Sequence, residues 1–175
     1  MRRREKEIQN REVIEELLRS APVCRLGLAP GLDSQGHGGT TAGRPRADAP
    51  KASYPYVVPV HFVHAEGRIY IHSARAGKKI SMLGENSRVC VEIDEFLGLK
   101  SADKACDYGT RFRSLIAFGR ARIVEEAEDK LRALQLLMGK YAGRSFDFSQ
   151  RSIQGVTVIE IRIEELTGKQ DLGLS

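Results

Sequence analysis

Ile14, Leu17, Leu18 and Ala21 recur at helical spacing, and this apolar stripe predicts an amphipathic helix that opens at Asn10. Asn10 suits the N-cap, Glu12 the positive first turn, and Pro22 stops the helix. "VCRLGLA" then alternates as a strand with Cys24, Leu26 and Leu28 on one face. "PYVVPVHFVH" and "RIYIHSA", joined through Ala65-Glu66-Gly67, predict a β-hairpin. "KKISMLGEN" gives one or two helical turns. "SRVCVEID" follows with Val89, Val91 and Ile93 on one side and Arg88, Cys90, Glu92 and Asp94 on the other. An irregular segment to about Thr110 leads into the long strand "RFRSLIAFGRARIVEE", where Gly119 marks a bulge or bend. A helix with Leu131, Leu134, Met138 and Tyr141 on one face precedes the last strand, "GVTVIEIRIEEL", in which Ile159, Ile161 and Ile163 alternate. Strands and helices show no regular βαβ alternation, so a doubly wound sheet is not expected. The fold class is mainly β: about six antiparallel strands forming a barrel with peripheral helices.

One stretch breaks the pattern. From Ala29 to Ser53, glycine and proline dominate and Leu32 is the only large apolar side chain. Such a segment buries too little surface to offset the entropy of ordering, so 29–53 reads as a flexible insertion in a single domain spanning 1–175. Gly38 and Gly43 have the spacing of a phosphate loop, but Arg44-Pro45 stands where Lys-Ser/Thr is required.

Composition narrows the classes. Hydrophobic residues make up 41% of the 175, enough for a core, and no apolar run reaches the length of a membrane span. The arginines at 2–4 are followed by a polar helix and not by the apolar segment of a signal peptide, so a cytoplasmic location is expected. Cys24, Cys90 and Cys106 form neither a zinc pattern nor a disulfide framework. The net charge of +5 favours an anionic partner, a small phosphate as readily as a nucleic acid.

The chemistry concentrates in "YIHSARAGKKISML", Tyr70 to Leu83. On an extended "RIYIHS", Arg68, Tyr70 and His72 share one face, and the chain then turns into a helix at Gly77-Lys78-Lys79. A helix start presents unpaired N–H groups and partial positive charge. Ser73 adds a hydroxyl, and Lys78 and Lys79 add full charges, which together suit a phosphate dianion. A solvated lysine pair is the plain alternative. Against it, lysines are electrostatically unfavourable at a helix start unless an anion is present.

The ordered set "PYVVPVHF", "GRIYIHSARAGKKI", "SRVCVEID", "RFRSLIAFGRARIV" and "EELTGK" resembles the Nim-type nitroimidazole-resistance proteins. These are a branch of the pyridoxamine 5'-phosphate oxidase-like, FMN-binding split barrels. The resemblance spans nearly the whole chain outside 29–53 and implies a homodimeric, six-stranded antiparallel split β-barrel with FMN in a groove at the subunit interface. It implies His72 and Ser73 beside the flavin phosphate and ribityl chain, and Lys78 and Lys79 on the phosphate. Val58, Pro59, Val60 and His61 would line the isoalloxazine edge, with Phe62 close by. Arg113 and Ser114 would approach the cofactor from one subunit or the other. Val57 and Phe62 stand where members acting on pyridoxamine phosphate carry arginine and lysine, so that substrate is not expected. The activity implied is that of an FMN-dependent oxidoreductase, passing electrons from a reduced nicotinamide to a small organic acceptor of the nitroaromatic kind.

His72 has two readings: a hydrogen-bond partner of the cofactor, or the catalytic proton donor to a reduced substrate. His61 and His64 form H-x-x-H, but residues three apart on a strand face opposite ways, so no metal site is expected. His72-Ser73 lacks the nucleophile elbow and acid of a hydrolase. Neither a strand-surface aromatic set nor an arginine-bearing recognition helix is present for nucleic acid. The alternative from another class is a haem-binding protein with His61 or His72 as axial ligand and the lysines on the propionates.

Overall fold

The computed structural model describes residues 4–31 and 54–173. Helix α1 (Arg11–Ser20) is capped by Asn10, whose side chain accepts from the Glu12 N–H at 2.9 Å, and it gives way at Ala21 before Pro22. Strands β1 (Cys24–Leu28), β2 (Tyr56–Val60), β3 (Val63–Ala65) and β4 (Arg68–Ser73) precede α2 (Lys78–Glu85). Then follow β5 (Arg88–Lys100), β6 (Gly109–Val124), α3 (Ala127–Ala142), α4 (Gln150–Gly155) and β7 (Thr157–Asp171).

All seven strands belong to one antiparallel sheet in the order β2-β1-β5-β6-β7-β4-β3. The two ends of that order are neighbours in sequence: only His61 and Phe62 separate β2 from β3. From Val60 to Val63 the chain spans at most about 11 Å. The sheet therefore curls enough to bring the end of β2 close to the start of β3, and residues 61–62 cross this seam. Its concave side holds the main core, including Leu26, Phe62, Ile71, Val91, Leu115 and Ile161, with Leu17 and Leu18 of α1 and Met82 and Leu83 of α2. A second core lies on the convex side, where Leu134 and Leu137 of α3 and Ile153 of α4 cover Val63, Tyr70, Val124 and Val158. This double cover explains why β7 is buried on both faces from Thr157 to Ile161.

Several expectations change. The segment "PYVVPVHFVH" is two strands, not one, which makes seven strands in place of six: its first half pairs with β1 and its second with β4. The hairpin survives as β3–β4, turning at Glu66-Gly67, where both residues have positive φ (53° and 71°) as a type I′ turn requires. The irregular segment after Asp94 is strand as far as Lys100 and irregular only from 101 to 108. A register shift between Phe96 and Gly98 (φ 121°) lets β5 run on to Lys100. β7 likewise continues through "TGKQD", and α4 was not foreseen. The buried stripe of α3 is Ala133, Leu134 and Leu137, whereas Tyr141 is 39% exposed. Gly119 does mark an irregularity, since the β6–β7 register shifts there and a Cβ would collide with the Arg162 carbonyl oxygen. Residues 1–3 and most of the 29–53 segment lie outside the described residues.

Beneath α3, Glu160 is 6% exposed and takes Arg122 through two bonds (2.7 and 3.0 Å) and Arg68 through one (3.2 Å). Burial pushes this carboxyl up, but the two guanidiniums outweigh it and hold it below the usual glutamate range. Its contribution is therefore complete above the unfolded value, about 4.3, and is lost as pH falls through the lower folded value. Both arginines are partly exposed, which limits the effect. Glu160→Gln should cost about 1–3 kcal/mol at pH 7 by urea unfolding, and its deficit should shrink below about pH 4.

Candidate functional site

His72 sits at the end of β4, followed by Ser73, and the chain reaches α2 through Gly77. Gly77 has φ 131° and ψ 171°, a conformation that side chains resist, and a Cβ there would meet nothing within 4 Å. It forms the N-cap of α2 without any side-chain cap, so the first N–H groups of the helix are left for another acceptor. The first turn carries no acidic residue and instead presents Lys78 and Lys79. Among the described residues, no carboxylate lies within ion-pair distance of either lysine. Lys78 extends its ammonium over the Tyr56 ring, 4.7 Å from the centroid, at the start of β2. Burial pulls the Lys79 amine below its ordinary value.

The seam brings a second group to the same place. His61 stacks on His72, ring centroids 6.4 Å apart and planes 24° apart. Tyr141, at the end of α3, lies 4.8 Å from His61 on a tilted ring. Its hydroxyl accepts the Phe62 N–H (2.9 Å) and faces the carbonyls of Pro22 (2.8 Å) and Phe62 (3.0 Å). Next to it, Lys140 holds its ammonium 3.6 Å from the Phe62 ring centroid. Partial burial, then the charges of His61 and Lys79, hold the His72 imidazole below its ordinary pKa.

Of the residues singled out in the sequence, His61, Phe62, His72, Ser73, Lys78 and Lys79 gather around this seam, with Val58, Pro59 and Val60 leading into it on β2. Pro59 is tolerated because β2 is an edge strand paired only with β1. Arg113 and Ser114 do not join the group. Arg113 faces Glu16 (3.9 Å) and Glu95 (3.8 Å), while Ser114 lies across from Asp94 and Lys169. Tyr141 and Lys140 were missed as site residues. The only signal was a tyrosine closing an otherwise apolar stripe, which says nothing about the backbone it meets. The group can bind a phosphate and offer imidazole N–H groups beside it. His72 and Lys78 are both exposed, so in one chain the site is open on one side.

Comparison with known proteins fits this geometry. Residues 49–170 match the pyridoxamine 5'-phosphate oxidase family. A candidate 5-nitroimidazole antibiotic resistance protein from Bacteroides thetaiotaomicron superposes with a TM-score of 0.72 at 28% identity, covering 93% of this chain and 85% of that one. The flavocytochrome Anf3 of Azotobacter vinelandii gives a TM-score of 0.77 at 20% identity, with 99% and 72% covered. The FAD and heme binding protein of Mycobacterium smegmatis gives 0.75 at 16%, with 95% and 73% covered. These last two share the fold. No curated protein matches in sequence.

His72 should titrate below the 6.5 of a free imidazole when its ring protons are followed by NMR. In His61→Ala the midpoint should move up towards 6.5, because one repelling charge is gone.

Proposed function

The chain belongs to the pyridoxamine 5'-phosphate oxidase family, and from that premise we propose that it is an FMN-binding oxidoreductase. The observation that carries this reading is the uncapped start of α2 behind Gly77, where two lysines without carboxylate partners among the described residues follow Ser73 in the chain. These donors fit a phosphate monoester: helix N–H groups and a hydroxyl for its several oxygens, and two ammonium groups for its charge. The flavin, when bound, supplies two-electron chemistry between a reduced nicotinamide and a small organic acceptor of the nitroaromatic type.

Lys78, Lys79 and Ser73 anchor the phosphate, and the backbone of Val58 to His61 orients the ring edge, with Phe62 beside it. His72 presents an imidazole N–H within the site and, in its protonated form, passes a proton to the acceptor, and its lowered pKa makes that form the readier donor. Val57 is exposed and Phe62 is fully buried, so neither supplies the cation that a pyridoxamine phosphate substrate would need. A homodimer completes the open side. In support, Val57, Gly27, Cys90 and Phe118 form one cross-strand row over four strands, with Val57 61% and Phe118 49% exposed. In this reading Arg113 and Ser114, which stand apart from the seam in their own chain, approach the cofactor of the second copy.

Haem is the second reading, motivated by the stacked, exposed pair His61 and His72. The purified protein distinguishes the two: a two-banded yellow spectrum releasing FMN is expected, and a single intense Soret band contradicts it. Replacing Lys78 and Lys79 together by alanine should strip FMN by at least tenfold in affinity while far-UV circular dichroism stays unchanged. Retained flavin at full occupancy would sink the phosphate assignment. His72→Asn should keep flavin and lose turnover, and unchanged turnover removes its role as proton donor.

A further inference from the structure

His61 is exposed and lies in the two-residue crossing between β2 and β3, outside the strand ladder. Among the described residues its imidazole meets no hydrogen-bond partner, and its ring contacts are with Tyr141 and His72. Neither burial nor sheet pairing therefore keeps this ring where it meets His72. The support comes from Tyr141, which lies 80 positions further along the chain, at the end of α3.

The Tyr141 hydroxyl accepts the Phe62 N–H at 2.9 Å, and that N–H belongs to the planar peptide joining His61 to Phe62. The same oxygen stands 3.0 Å from the Phe62 carbonyl, which belongs to the next peptide plane. One atom thus fixes two consecutive planes. Val60, on the other side of His61, is already fixed by its pairing with Cys24. With both neighbours held, His61 keeps little freedom in φ and ψ, and the direction of its Cα–Cβ bond is set. The hydroxyl is itself located by a further segment, the connection between α1 and β1, through the Pro22 carbonyl at 2.8 Å. The phenol ring completes the support: its centroid lies 4.8 Å from that of His61, with the planes tilted by 52°, an ordinary aromatic contact. The plain reading of Tyr141 is a helix end packed against a loop. Against it, the residue is 39% exposed, so burial explains little of its placement. Two of the three backbone groups on its hydroxyl also belong to the residue next to His61.

We propose that Tyr141 is a positioning residue of the candidate site: its hydroxyl and ring together set the place of His61, and through it the separation and tilt of the His61–His72 pair. Tyr141 acts through His61 and not on a bound group. The inference concerns the histidine pair alone, so it stands whether flavin or haem occupies the site.

The test follows the ring protons of His72 by NMR in the full chain and in a cycle of Tyr141→Phe, His61→Ala and the double variant. The charge of His61 is one of the influences that hold the His72 imidazole below its ordinary value, so a His61 that swings away lets the midpoint rise. Tyr141→Phe keeps the ring and removes the hydroxyl. It should raise the His72 midpoint by at least about half of the shift that His61→Ala produces, and it should add nothing where His61 is already alanine. A smaller shift, or the same shift with and without His61, overturns the proposal; loss of stability alone produces neither signature. A second measurement needs no variant. In the unsubstituted chain the Phe62 amide, although outside the ladder, should exchange with deuterium at least about tenfold more slowly than an exposed amide. Exchange at the exposed rate also overturns the proposal, because the hydroxyl would then not hold the peptide beside His61.

Discussion

At the seam of the sheet one phenolic oxygen serves three backbone groups. The Tyr141 hydroxyl accepts from the Phe62 N–H and gives its single proton to the carbonyls of Phe62 and Pro22 between them. These bonds take Phe62 out of the strand ladder at the place where the chain passes from one edge of the sheet to the other. They also tie the end of α3 to the connection between α1 and β1. Phe62 itself is fully buried beneath the Lys140 ammonium, so its backbone could not otherwise turn to water. The position of His61, and with it the stacked histidine pair, depends on this knot.

The electrostatic design is divided between two regions. Along the sheet, several charges are matched: Arg25 with Glu92 and Asp94, Arg120 with Glu164, and Arg68 and Arg122 with the buried Glu160. Around α2 they are not, because Lys78 and Lys79 meet an aromatic ring or partial burial instead of a carboxylate. Unmatched cations at a helix start raise the energy of the empty site and lower it again when an anion arrives. That asymmetry is what supports the proposed anion site at the start of α2, where the same residues with an acid in the first turn would only be a capped helix.

Much of this was legible in the sequence, wherever the controlling interactions are local. The Asn10 cap, the alternation of β4 and β5, the irregularity at Gly119 and the lysine pair behind Gly77 all follow from residues within one element. What was not legible depends on contacts between distant segments. Tyr141 and Phe62 lie 79 positions apart, and a hydrogen bond from a side chain to a backbone leaves no periodic trace. The division of one extended segment into β2 and β3 follows from that bond and was missed with it. The α3 stripe was misread for a related reason: Leu134 and Leu137 face the convex core, while the Lys140–Tyr141 end of the helix is directed at the seam. His72, Lys78 and Lys79 were legible together because they share one short segment, whereas His61, placed with them through the resemblance, lies just before the strand hairpinned to it. Arg113 and Ser114, assigned through the resemblance alone, are the residues that a single chain does not bring there.

The most direct test of the account compares the affinity of the apoprotein for FMN and for riboflavin by flavin fluorescence quenching. The two ligands share the ring and ribityl chain and differ only in the phosphate that the start of α2 is proposed to hold. FMN should bind at least about a hundredfold more tightly, as two charge-assisted contacts of about 1.5 kcal/mol each require. Equal affinities would contradict the account, since they would leave the unmatched lysines without the anion that explains them.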